Sequence, residues 1–255
     1  MIGSRRKWTV LREGHSWGIS KYTPTPFLAA VVIACGLSGM MVESARAQNA
    51  EDKLGNWLIY NGTFRFSDHW SLFTEAQIRL YEPFWNLNEL LGRVTAHYNF
   101  TPDAMVGFGY VRADSWPFGD GGRDRIENRL YEQFALWLSW GRTRFEHRYR
   151  MEQRWLRTGG DIRYSNRLRY RLQVTTPLNR ASMEAGTYFL NFYDEIFINF
   201  DETRVFDQNR LYAAAGYQFT PLSNLQLGLL WQARTQANFF RLQVFYTHNF
   251  DLRKQ

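Results

Sequence analysis

The sequence predicts an all-β fold: an antiparallel transmembrane β-barrel, with twelve strands expected and ten as the rival count. Three observations carry this. First, the run Arg144 to Trp155 places Arg144, Glu146, Arg148, Arg150, Glu152 and Arg154 at every second position, with Phe145, His147, Tyr149, Met151, Gln153 and Trp155 between them. A strand sends successive side chains to opposite faces, so one face carries charge and the other mostly bulky or aromatic groups. Second, the same alternation recurs along the chain. Third, aromatic residues make up 17% of the sequence, with ten Trp and fourteen Tyr, while mean hydropathy is only −0.45. Many rings with low mean hydropathy suit strands that cross a bilayer between aromatic girdles. After residue 47 no apolar run approaches the roughly 20 residues of a membrane helix. A soluble sandwich would turn the rings inward, and repeated Arg/Glu ladders would leave it a very polar core or two exposed faces.

Residues 1–47 read as a Sec-type signal peptide and residues 48–255 as one outer-membrane barrel domain. Basic residues come first, then the apolar stretch Phe27 to Val42, then Ala45-Arg46-Ala47 with small residues where a signal peptidase needs them. Cleavage is expected near Ala47/Gln48. A rival reading makes Val32-Ile33-Ala34-Cys35 a lipoprotein box; the apolar run continues past Cys35, which argues against it. Cys35 is the only cysteine, so the remaining chain offers no disulfide, zinc cluster or thiol nucleophile. More than half of the net charge of +7 sits in the leader, where Arg5, Arg6, Lys7, Arg12, Lys21 and Arg46 meet only Glu13 and Glu43. The charge left is interleaved with acid, which argues against a nucleic-acid partner.

The strand-like runs follow in order. Residues 57–66 place Leu58, Tyr60, Phe64 and Phe66 on one face. After the turn Ser67-Asp68-His69, residues 70–81 set Trp70, Leu72, Ala76, Ile78 and Leu80 against Phe73, Glu75, Gln77 and Arg79. An aromatic loop, Glu82 to Asn88, leads to residues 89–100, and Thr101-Pro102-Asp103 turns into 104–112. A Gly-rich loop spans Ala113 to Arg125. Residues 126–139 oppose Leu130, Phe134, Leu136 and Leu138 to Glu127, Arg129, Tyr131 and Gln133. Trp140-Gly141 turns into 142–156, and a Gly-Gly loop into 162–174, where Arg163, Arg167, Arg169 and Arg171 share a face. Thr176 to Asn179 is expected to turn into 183–199. A polar loop, Asp201 to Asp207, precedes 208–219, then 225–234. The last run, 239–250, ends on Phe250, an aromatic end of the kind barrel-assembly machinery reads. Each run has about the ten residues of a tilted spanning strand, and short connections alternate with longer ones. That makes eleven runs. Single-chain bacterial barrels carry an even number, so with both termini in the periplasm a twelfth strand is expected in residues 48–56.

The chain resembles the family catalogued as domain of unknown function 2490. The resemblance rests on His147-Arg148-Tyr149-Arg150-Met151-Glu152-Gln153-Arg154, on Trp70-Ser71-Leu72 with Glu75 and Arg79, and on Gly109-Tyr110. Glu127 with Arg129, Arg167-Leu168-Arg169-Tyr170 and Glu195-Ile196-Phe197 add to it, as do Phe206 to Arg210 and Gly216-Tyr217. It implies a Gram-negative outer-membrane barrel of unestablished function, located in the cell outer membrane, and it brings no catalytic residues. The expected partners are outer-membrane lipid, the barrel-assembly and periplasmic chaperone machinery, and a small anionic solute.

The candidate site is the ladder: Arg144, Glu146, Arg148, Arg150, Glu152, Arg154, Arg163, Arg167, Arg169 and Arg171. Two readings compete. These residues could line a narrow pore that prefers anions, or they could pair across a filled interior as a structural core. The second is favoured, because a barrel of this size is narrow; the excess of Arg over Glu keeps the first open. No enzyme activity is expected. His69-Trp70-Ser71 reads as a His-x-Ser pair of the lipid-modifying type but falls in a turn, and an outer-loop adhesin is a further alternative. An omptin-like site would need His beside Asp114, Asp120, Asp124 and Glu127. Asp120 to Asp124 and Asp201-Glu202 could hold Ca²⁺ only loosely, so no metal and no cofactor are expected.

Overall fold

A computed structural model describes residues 53–119, 121–200 and 205–253. They form eleven strands: β1 (Gly55–Arg65), β2 (Trp70–Leu80), β3 (Leu87–Thr101), β4 (Ala104–Ser115), β5 (Arg125–Trp140), β6 (Thr143–Thr158), β7 (Asp161–Pro177), β8 (Thr187–Asn199), β9 (Phe206–Thr220), β10 (Ser223–Arg234) and β11 (Asn238–Asp251). Each pairs antiparallel with its sequence neighbour, and β1 pairs with β11 in parallel to close the barrel. Closure leaves no free edge.

All eleven runs read from the sequence are strands. The count falls between the twelve expected and the rival ten. Gly55 and Asn56 open β1, and residues 48–52, like residues 1–47, where the signal peptide is expected, lie outside the described residues. The parity argument assumed antiparallel neighbours throughout. The parallel seam removes that assumption: β1 starts at the rim that carries 81–86, 116–119 and 235–237, whereas β11 ends at the rim that carries 66–69, 102–103 and 141–142. The two ends of the described chain therefore lie at opposite rims. Arg253 clasps the second rim by donating to Asp68 at 2.6 Å and to Asp251 at 2.5 Å.

One connection differs from expectation. Thr176 and Pro177 stay in β7, and β8 begins only at Thr187. The longer loop between them is pinned by Asn179, which donates to the Gly186 carbonyl at 2.9 Å and accepts from the Tyr188 amide at 2.8 Å. At the opposite rim the β6–β7 link closes tightly through Gly159, at φ 59°.

Burial alternates along the strands, as in β4 and β5. The outer wall exposes Leu58, Ile78, Val94, Val106, Phe108, Phe134, Leu227 and Leu229 around the middle. Towards one rim stand Phe66, Trp70, Phe100, Trp140, Tyr188 and Phe219, and towards the other Phe84, Trp85, Trp155, Tyr164, Phe206 and Phe240. Aromatic pairs cross the strands, among them Trp155 with Tyr164 at 5.3 Å and Tyr188 with Tyr217 at 4.9 Å.

The inner face is filled. Rings lie flat over glycines of the neighbouring strand: Tyr131 covers its register partner Gly109, and Phe189 covers Gly216. A Cβ at either glycine would collide with the ring. Two of the Gly-Tyr pairs noted in the sequence thus mark places where the wall lacks a side chain so that an inward ring can fit.

Candidate functional site in the barrel lumen

The ladder residues of β6 and β7 project inward. Their register sets Arg148 opposite Arg171 and Arg150 opposite Arg169. Like charges in directly facing positions destabilise a sheet, so these rows need acid from elsewhere. Glu152 and Glu195 supply much of it. Arg169 donates to Glu152 at 2.6 Å and to Glu195 at 2.8 Å, joining β6, β7 and β8. Arg167 donates to the other oxygen of Glu152 at 2.6 Å, and Arg148 reaches Glu195 at 2.7 Å. Glu152 is 0% exposed. A carboxylate so removed from water requires close donors, and two arginines provide them.

The same chemistry extends around the wall. Glu127 of β5 accepts from Arg129 and Arg154, each at 2.6 Å. Arg79 meets Glu89 at 2.6 Å, and Arg93 meets Glu75 at 3.2 Å. Glu146 holds Arg171 and accepts from the Trp137 indole at 3.1 Å. Rings take up guanidinium faces: Arg79 lies 3.9 Å from the Trp57 ring centre, and Phe197 has Arg169 at 4.3 Å and Arg210 at 4.7 Å.

Each of these carboxylates has a guanidinium partner, but the arginines outnumber them. Arg150 is 2% exposed, yet its nearest carboxylate is Glu152 at 3.9 Å. It donates instead to Gln133 at 2.7 Å and stacks on Tyr131 at 4.3 Å, and its Nη1 has no hydrogen-bond partner among the described residues. Arg210 lies against Phe197 and Trp57, with its Nε also unpartnered there. Arg241 donates to the backbone carbonyls of Lys53 and Phe240. The interior is electropositive.

Of the ten predicted residues, Arg148, Arg150, Glu152, Arg167 and Arg169 meet around Glu152 and Glu195, while Arg154 on Glu127 and Arg171 on Glu146 form pairs beside them. Arg144 and Arg163 are exposed, towards opposite rims, and Arg144 lies over Trp137 at 5.1 Å. The ladder reading missed Glu75, Arg79, Glu89, Arg93, Glu127, Arg129, Glu195 and Arg210. Their signal was present as single charges alternating with apolar residues, weaker than the dense ladder. Apolar residues also point inward, including Trp57, Phe189, Phe197 and Tyr212.

His69 and Ser71 are not brought together. The His69 ring contacts the Asn99 carbonyl at 2.9 Å in an exposed turn, while Ser71 is buried in β2. His147 lies outside the lumen and meets the Tyr170 hydroxyl at 2.9 Å. Asp114 is held by Arg112 and Arg123. Asp120, Asp201 and Glu202 lie outside the described residues. Among the described residues, no group of three His, Cys, Asp or Glu is placed to hold a metal.

Fold and interior together define a class: a single-chain, closed β-barrel with a packed, charged lumen. Residues 54–243 match the family described as Protein of unknown function (DUF2490), and the chain belongs to that family. No curated protein and no solved structure matches it.

Proposed function

We propose that this chain is an outer-membrane barrel, non-enzymatic, whose lumen is braced shut against bulk solutes by the Arg/Glu network. Where it conducts, it conducts small anions through a narrow path. What supports the membrane reading is the exposed apolar band between two aromatic belts, which suits a bilayer and would be a liability in water. In this reading the short-turn rim faces the periplasm, and Phe250, near the end of the last strand, serves recognition by the barrel-assembly machinery. The observation that carries the closed-lumen reading is Arg169 bridging Glu152 and Glu195 at 2.6 and 2.8 Å. Side chains that span three strands in this way occupy the space a wide pore would need. The surplus of Arg150, Arg210 and Arg241 over carboxylates carries the anion preference.

Conductance of the mature chain in a planar bilayer, with selectivity from the reversal potential, tests this. Silence or a small anion-preferring conductance is expected. A large, cation-preferring conductance would overturn the reading.

A further inference from the structure

The outer wall carries a groove unconnected with the lumen network. Its floor is Ala76 and Gly92, register partners on β2 and β3. Small residues there, among larger neighbours such as Leu58, Tyr60 and Leu90, leave a depression of about 640 Å³. A Cβ built on Gly92 would meet nothing within 4 Å, so the space lies directly above it. That volume falls within the roughly 300–1,000 Å³ usual for a ligand site.

One end of the groove is charged. Arg112 and Asp114 of β4 line it and point outward, an unusual pair for an apolar wall. Arg112 donates to both oxygens of Asp114, at 3.1 and 3.0 Å, and to Asn128 at 3.2 Å, and Arg123 from the β4–β5 loop donates to Asp114 at 2.9 Å through one nitrogen. Two guanidiniums thus share one carboxylate, which leaves net positive charge at the mouth. The height of this end is fixed by register: Arg112 pairs with Asn128, Asn128 with Trp155 and Trp155 with Tyr164. That row leads into the aromatic belt at the long-loop rim, where a bilayer's headgroups would lie. The apolar floor runs from there towards the middle of the wall.

We propose that this groove binds one anionic membrane lipid, its acyl chain over Ala76 and Gly92 and its headgroup phosphate on Arg112 and Arg123. The proposal rests on the membrane reading above. Arg112 uses its fork on Asp114 and offers the phosphate charge, while Arg123, which gives Asp114 one nitrogen, keeps donors for it. A partner protein would need a chain as slender as an acyl tail to fill the floor, and below the charged end the walls are mostly apolar, with Leu58, Ile78, Leu90 and Val244.

The test is native mass spectrometry of the mature barrel, extracted from membranes and presented with phosphatidylglycerol or with phosphatidylcholine of the same chains. Wild type should retain one phosphatidylglycerol in preference. Gly92→Leu fills the floor at a position where a side chain meets open space, and it should abolish retention while the barrel stays heat-modifiable. Arg123→Gln should weaken retention about tenfold, the scale of one charge-assisted hydrogen bond. Ala213→Leu, on the outer face of β9, should behave as wild type. Equal retention of the two lipids, or retention unchanged by Gly92→Leu, overturns the proposal. If the chain fractionates as a soluble protein, the membrane reading itself fails, and that is seen before any lipid is added.

Discussion

Arg169 and Glu152 sit on adjacent strands, 2.6 Å apart, with Glu152 wholly removed from solvent. Breaking such a pair strands a buried charge, which costs about 3–5 kcal/mol. Glu152→Ala and Arg169→Met should therefore each lower the urea midpoint of the detergent-solubilised barrel sharply. Unfolding followed by heat-modifiability on gels measures it, and an unchanged midpoint would count against a braced lumen.

Arg150 should behave differently, although it belongs to the same ladder. It faces Arg169 across the sheet and lacks a close carboxylate. Arg150→Met keeps the stem packed on Tyr131 and removes a repelled charge, so the midpoint should stay or rise. Any anion preference in bilayer recordings should fall in the same variant. A loss of stability equal to that of Arg169→Met would show Arg150 to be as firmly paired.

The glycine seats give a third expectation. Gly216→Ala drives a methyl into the Phe189 ring, an overpacking worth about 1–3 kcal/mol. Phe189→Leu in the same chain should recover part of the loss. Failure of the second change to help would mean that the glycine serves the backbone rather than the ring.

Across the seam, Phe64 and Phe250 stack at 4.6 Å with an interplanar angle of 4°. A double-mutant cycle with alanine at each should give a coupling of about 0.5–1.5 kcal/mol. Additive losses would mean that parallel pairing of β1 with β11 is held by backbone alone.

The parallel seam also predicts a topology. Leu54→Cys should be labelled from the same side as Gly160→Cys, and Arg142→Cys from the other. Cys35 is the sole native cysteine, so Cys35→Ser leaves each introduced thiol alone in the chain. Leu54→Cys reacting together with Arg142→Cys would refute the parallel closure.

Much of this molecule was legible in the chain. Strict alternation at Arg144 to Trp155, and its weaker echoes elsewhere, determined the fold class, the strands and which side chains turn inward, because a strand's two-residue period is local. The ladder also announced a charged interior. Tertiary structure alone decided how the barrel closes, since the register of β1 on β11 joins segments from the two ends of the domain. It decided too which carboxylate each arginine meets. Arg148 finds Glu195 47 positions away, and Arg241 reaches the Lys53 carbonyl across 188. Those partners are set by stagger around a closed sheet, a property no single run of sequence carries. The exposure of Arg144 and Arg163 has the same origin: both keep the inward phase, but the ends of β6 and β7 carry them past the packed zone.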